Sequence, residues 1–278
     1  MHDAFNLAWK LNLVIRGLAQ TSLLLTYEEE RRKIAKDLIQ FDIEHSRAFA
    51  KGEPALSKNF SDNIRFISGV GAEYNSSILT RDAGNSSTSL QPGKLQIPAK
   101  VTRMIDANPI DIQLDIPILG QFRIYFFVPS IPTALGFLMT ICDKRLTSNS
   151  LLSRISSQAR HSYTKLPRKR APSDEFTQPQ RYTAASDMFT YAIVTQSGRS
   201  EFEVADLPQI LRESRWTLYL DDVNTPSCTE KWCGNLDRKQ VGIVIIRPDG
   251  YIGATSKWDL TATARAGEWL DDYFGFIG

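Results

Sequence analysis

A chain of 278 residues with 42% hydrophobic content can bury a real core as one large or two ordinary domains, which excludes a disordered protein. With 33 Lys and Arg against 31 Asp and Glu the formal charge is +2, so no field of the whole chain argues for a nucleic-acid partner. Cys142, Cys228 and Cys233 are too scattered for a disulfide framework and fit a reducing, cytoplasmic setting; the most apolar region, 124–141, is broken by Pro129 and Pro132, so neither a leader peptide nor a membrane span is expected.

In chain order, residues 1–25 set Leu7, Leu11, Val14, Ile15 and Leu18 on a helical stripe widened by Ala4, Ala8 and Trp9, which predicts a largely buried helix. Residues 27–49 open with Glu28, Glu29 and Glu30 ahead of Arg31, Arg32 and Lys33, an order that suits the helix dipole and permits a Glu28–Arg32 pair; Ile34, Leu38, Phe41 and Phe49 give that helix an apolar side. His45 has no second ligand at metal spacing and is read as a packing or surface residue. A short helix at 60–67, started by Ser61 or Asp62, ends before Gly69 and Gly71. Asn59, Asn75 and Asn85 each open an Asn-x-Ser sequence that stays unused without a secretory route.

From 80 to 93 the composition turns to Gly, Asn, Ser, Thr and Pro, which reads as an exposed connection. The chain then divides into a helical part, 1–80, a linker, 81–92, and a second part, 93–278. In the second part, the stretch 120–128, in which Gln121, Phe122 and Arg123 lead into the unbroken apolar run Ile124, Tyr125, Phe126, Phe127 and Val128, reads as a strand covered on both faces. Residues 133–160 give a helix over the sheet and then a loop. Lys165, Arg168, Lys169 and Arg170 around Pro167 and Pro172 read as a solvated basic loop, in preference to a nuclear address or phosphate patch. Strands follow at 188–195 and 216–220. Asp221 and Asp222 at the exit of the latter point to opposite sides and read as a solvated strand end, not a catalytic pair. Residues 241–246 and 251–254 form a hairpin about Pro248, Asp249 and Gly250. A last helix, capped by Asp259 or Thr261, carries Ala262, Ala266, Trp269, Leu270 and Tyr273 at 3.6-residue spacing.

The string Met1-His2-Asp3-Ala4-Phe5-Asn6-Leu7-Ala8-Trp9-Lys10-Leu11 resembles the helix after the last flavin-binding motif of the FAD-dependent aromatic hydroxylases, particularly the fungal phenol 2-monooxygenase group. Tyr27, Glu30 and Arg31 match a Tyr-x-x-Glu-Arg pattern of the same family. Pro92, Gly93, Lys94, Pro98, the Asp106-Ala107-Asn108-Pro109 string and residues 119–125 resemble the entry to its C-terminal thioredoxin-like dimerisation domain, with Leu95 standing where relatives commonly carry arginine. The resemblance implies an α/β (α+β overall) architecture: a helical remnant of a flavin monooxygenase domain, then a thioredoxin-like domain without Cys-x-x-Cys. It implies FAD and NAD(P)H as cofactors, a phenolic substrate and a homodimer, and it sets Asp3 and Asn6 beside the flavin. The family's Gly-Asp segment, its Gly-Met-Asn turn and the Gly-x-Gly-x-x-Gly fingerprint are not in this sequence, so no catalytic or metal-binding residue is assigned. Cys228 and Cys233 are separated by four residues, the wrong spacing for disulfide exchange. Two functions follow: the C-terminal part of an aromatic-ring monooxygenase that is not competent alone, or a non-enzymatic scaffold or dimerisation module.

Overall fold

In a computed structural model the chain is described over residues 2–81, 88–147, 149–167, 174–223 and 225–278. Three helices come first: α1 (His2–Ile15), α2 (Leu25–Ala50) and α3 (Glu53–Ile67). The strands β1 (Lys100–Arg103) and β2 (Asn108–Asp111) pair as a hairpin, followed by one helical turn, α4 (Ile112–Asp115), and by β3 (Phe122–Val128). From β3 the chain crosses through α5 (Ile131–Ile141), a π-helical stretch Cys142–Thr147, α6 (Leu151–Lys165) and α7 (Asp174–Thr177) to β4 (Phe189–Thr195). After α8 (Gln209–Glu213), β5 (Leu218–Leu220) and α9 (Cys228–Cys233), the hairpin of β6 (Gln240–Ile246) and β7 (Ile252–Asp259) is closed by α10 (Thr263–Phe274).

Among the described residues the strands form one seven-stranded sheet in the order β2-β1-β5-β4-β3-β6-β7. β3 and β4 are parallel across a helical crossover, while β6 runs antiparallel to β3 and β7 antiparallel to β6. A βαβ unit joined to a ββα unit is the thioredoxin-like arrangement, and β5, β1 and β2 extend it on the β4 side. Every residue of β3 is buried. Because strand side chains alternate, Phe122, Ile124, Phe126 and Val128 enter the core that includes residues of α5, α6 and α10, while Tyr125 and Phe127 face the opposite core with Trp232 of α9. The Tyr125 and Phe127 rings lie 5.4 and 5.7 Å from that indole.

Several local expectations are revised. The polar half of 133–160 is helical: Ser150 caps α6 through the Ser153 amide, and Leu152, Ile155 and Ala159 face the core while Arg154 and Ser157 between them meet water. α3 starts at Glu53, where Pro54 suits the first turn. α10 starts after Ala262 without a side-chain cap, and β5 spans only three residues because Arg215–Thr217 makes a 3-10 turn. Asp221 is a cap, accepting from the Cys228 and Thr229 amides at 2.7 and 2.8 Å, while Asp222 accepts from Thr102 Oγ1 at 2.6 Å. His45 packs on Phe41 and Phe60 with Nδ1 2.9 Å from Asn59 Oδ1. Arg168, Lys169, Arg170, Pro172 and Asn85 lie outside the described residues, as do 82–87 of the linker.

The flanks of that linker close the β7 side of the sheet. The Arg81 amide donates to Gly253 O and the Gly93 amide to Ile252 O, both at 2.8 Å, and Tyr273 Oη reaches Leu79 O at 3.0 Å. Gly253 permits this approach, since a Cβ there would stand 2.0 Å from the Tyr273 hydroxyl.

Candidate functional site

α1 lies on the sheet by a different face from the one its apolar pattern predicts. Asn6, Trp9, Lys10 and Leu13, spaced three and four residues apart, are the buried set, whereas Phe5, Leu11 and Ile15 are exposed. Trp9 gives the apolar contact, its ring edge-on to Phe122 of β3 at 5.6 Å between centroids. Asn6 and Lys10 enter a cluster of charges that the sheet's last hairpin completes.

Arg247, at the turn between β6 and β7, is fully buried and sits at the centre. Its guanidinium grips Glu30 of α2 with two bonds, Nη1 to Oε1 at 2.6 Å and Nη2 to Oε2 at 3.0 Å. It also grips Asp249 with two, Nε to Oδ1 at 3.1 Å and Nη2 to Oδ2 at 2.6 Å. Lys10 Nζ donates to Glu30 Oε2 and to Asn6 Oδ1, each at 2.8 Å, and Asn6 Nδ2 returns a bond to Glu30 Oε2 at 2.6 Å. Trp9 Nε1 donates to Asp249 Oδ2 at 3.1 Å. The rings of Tyr74, Trp9 and Tyr251 surround the Arg247 guanidinium at 5.2 to 5.7 Å. Two cations meet two carboxylates, so the cluster is neutral, and the planar fork of arginine fits both carboxylates as a lysine could not.

The charges are not held equally. Burial alone would push the Glu30 carboxyl up, but the Arg247 guanidinium, with Lys10 and Asn6 behind it, outweighs this and holds it below the usual carboxylate range. Arg247 is held further above its ordinary value, burial being overcome by Asp249 and Glu30. Lys10 has the weaker position: burial lowers it, and Glu30, already shared with Arg247, restores only part, so the ammonium falls to about 8.

Of the residues set beside a flavin, Asp3 is exposed in the first turn of α1 and ion-paired with Arg31 of α2, while Asn6, one turn on, is buried with all its side-chain polar atoms engaged. The remaining members, Lys10, Glu30, Arg247 and Asp249, carry no function in the sequence reading. Glu30 falls inside the Tyr-x-x-Glu-Arg pattern and the Asn6–Lys10 spacing was legible, but nothing local marks Arg247 as their partner 217 residues from Glu30. Chemistry at sulfur is disfavoured: the three cysteines are free and buried, and burial pushes each thiol up, away from the reactive thiolate. Among the described residues no group of three or more His, Cys, Asp or Glu is placed to hold a metal, and no helix is long and apolar enough to cross a membrane.

Residues 72–277 match the family described as phenol hydroxylase, C-terminal dimerisation domain, and residues 1–42 match an FAD binding domain family. A 3-hydroxybenzoate 4-monooxygenase of Comamonas testosteroni is 26% identical over 276 residues, covering 91% of this chain and 39% of that protein. The phenol 2-monooxygenase fsqG of Aspergillus fumigatus is 26% identical over 280 residues, covering 94% and 42%. The chain thus spans about two fifths of the length of these relatives. A crystal structure of the flavin-dependent monooxygenase PieE with FAD and substrate superposes on 99% of this chain and 44% of its own, with a TM-score of 0.55 at 14% identity, a likeness of fold.

Proposed function

The chain belongs to the phenol hydroxylase C-terminal dimerisation domain family, and from that premise we propose that it is the C-terminal part of an FAD- and NAD(P)H-dependent monooxygenase of phenol-type rings, not competent alone. The observation that carries this is the inverted α1. A helix that buries Asn6 and Lys10 on the sheet and leaves Phe5, Leu11 and Ile15 in water has a second apolar face awaiting a body. The FAD-binding match over residues 1–42 supports a dinucleotide-fold body as that cover. In this division, 1–80 complete the flavin and substrate domain, 81–92 connect, and 93–278 form the thioredoxin-like module. Asp3 and Asn6 sit on the helix flanking the flavin, and the assembled enzyme is a cytoplasmic homodimer.

The residues present fit a flank of the flavin and not its cradle. Asn6 is committed to Glu30 and Lys10, Asp3 to Arg31, and the phosphate-binding glycine turn is missing from the sequence, so no reaction step is assigned to this chain. Its own contribution is mechanical, since the Arg247 cluster fastens α1 and α2 to the module.

A second function, a non-enzymatic scaffold or dimerisation module, is favoured by the core on the Trp232 face of the sheet, which closes on residues between Leu90 and Ile252 without any from the first three helices. Flavin absorbance and phenol-dependent NADPH oxidation separate the two. The 278-residue chain is expected to be colourless and inactive, and a polypeptide joining it to a flavin-binding part of a relative is expected to be yellow and active. Failure of every such fusion to bind flavin, with the chain still well folded, would leave the module reading in place.

A further inference from the structure

Arginines of this chain commonly close on a carboxylate: Arg81 on Asp272, Arg103 on Asp106, Arg145 on Asp271 and Arg247 on Glu30. Arg199 and Arg215 do not. Among the described residues neither guanidinium has an ion-pair or hydrogen-bond partner, yet both line one cleft of about 390 Å³.

That cleft lies where β1 leaves the sheet and β5 enters it, on the opposite half of the sheet from the strand that carries α1. The Met104 amide donates to Leu218 O at 2.9 Å, and both side chains belong to one core, so the floor is that core's own apolar edge. Val204 and Ile105, the latter 38% exposed, add apolar walls. Arg103 holds Asp106 at 2.6 Å and so steadies the turn that carries Ile105. The cleft's carboxylate, Glu203, is turned to the backbone: it accepts from the Asp206 amide, while the Asp206 carboxylate accepts from the Glu203 amide at 2.9 Å. Two guanidinia gathered on one cleft repel each other, the more so beside apolar walls, and an anion between them relieves this.

We propose that this cleft binds an amphipathic organic carboxylate, its apolar ring on the Met104 and Leu218 floor and its oxygens held by Arg199 and Arg215. Guanidinium forks match carboxylate oxygens in pairs, and an apolar surface with a few polar groups is the make-up of a small-molecule site. The volume stands in the lower part of the range for such sites, about 300–1,000 Å³, which suits a fused-ring acid. An inorganic anion would leave the floor unused, and a neutral ring would leave the guanidinia unpaired, so both parts of the ligand are required. The proposal is independent of the monooxygenase reading, since every residue of the cleft belongs to 93–278.

Isothermal titration calorimetry of the full chain with naphthoate tests this, with naphthalenemethanol as the ring without the charge and acetate as the charge without the ring. Naphthoate is expected to bind one-to-one and at least ~10-fold more tightly than either. Arg199→Gln/Arg215→Gln is expected to weaken it by ~10-fold or more, and Glu203→Gln, which removes the cleft's own negative charge, to tighten it by ~2- to 5-fold. Arg265→Gln, exposed on α10, is expected to change nothing. All of the substituted side chains are exposed, so an unchanged circular dichroism melt is expected; should the double variant fold poorly, the single variants Arg199→Gln and Arg215→Gln give the same comparison. Naphthoate binding that is absent at millimolar concentration, that either control compound equals, or that survives loss of the two arginines overturns the proposal.

Discussion

The aromatic strand β3 and the charged cluster around Arg247 are equally sealed from water, yet taking a side chain from each leaves a different gap. In β3 the loss is area and fit: a void lined by Ile, Leu and Phe. In the cluster the loss is a partner, and the groups left behind still carry charge where hydration cannot reach them. Apolar burial degrades by volume, then, and ionic burial by stranded charge. The joint between the first two helices and the sheet depends on the second kind.

The largest effect expected is at Glu30. Glu30→Ala leaves both Lys10 and Arg247 without their shared carboxylate, and a cost near the upper end of the range for breaking a buried pair, about 5 kcal/mol, follows. Urea unfolding followed by tryptophan fluorescence reads it; a change under about 1 kcal/mol would show that water reaches the cluster. Phe126→Ala comes next, at about 4 kcal/mol, and Phe127→Ala is similar, since each ring is wholly buried in one of the two cores. Near-wild-type thermal midpoints in both would contradict the place of β3 as the sheet's centre.

Lys10 sharpens the comparison through pH. Its folded-state pKa of about 8 lies below the ordinary lysine value of 10.5, so between these the unfolded chain binds more protons and stability rises with pH. The buried tyrosines and thiols, all pushed up, act in the opposite sense at high pH, so the useful quantity is wild type minus Lys10→Met. That difference is expected to grow in favour of wild type by about 1–3 kcal/mol from pH 7.5 to 10, read by urea titration. A flat difference would mean that Glu30 compensates Lys10 fully.

The comparison also explains what the sequence disclosed. An unbroken run from Ile124 to Val128 has one physical use, so β3, its neighbours and the last hairpin were legible as elements, and the thioredoxin-like order followed from them. The cluster was not legible, because its identity resides in pairing. Arg247 reads as a charge after a strand and Asp249 as a turn residue until the fold puts them against Glu30. The α1 stripe misled for a related reason. Hydrophobic periodicity identifies an apolar face, but it cannot say which face of α1 this chain covers, and Asn6 and Lys10, polar by type, are the ones turned inward.

Glu28 supplies the smallest effect and the sharpest contrast, since it stands two residues from Glu30 on the same helix. The charge order along α2 singles out Glu28 with Arg32, and that pair does form, but both side chains are more than half exposed. Water solvates either partner once the other is gone, and holding two long side chains together costs entropy that offsets most of the attraction. Glu28→Gln is therefore expected to cost no more than about 0.5 kcal/mol, and to lose even that in 1 M salt, where exposed pairs are screened and the Glu30 cluster is not. Measuring Glu28→Gln and Glu30→Gln together at low and high salt sets two glutamates of one helix turn against each other. A comparable cost at the two positions, or a comparable response to salt, would mean that the Arg247 cluster is an ordinary solvated network and that α1 is fastened to the sheet by Trp9 and Leu13 alone.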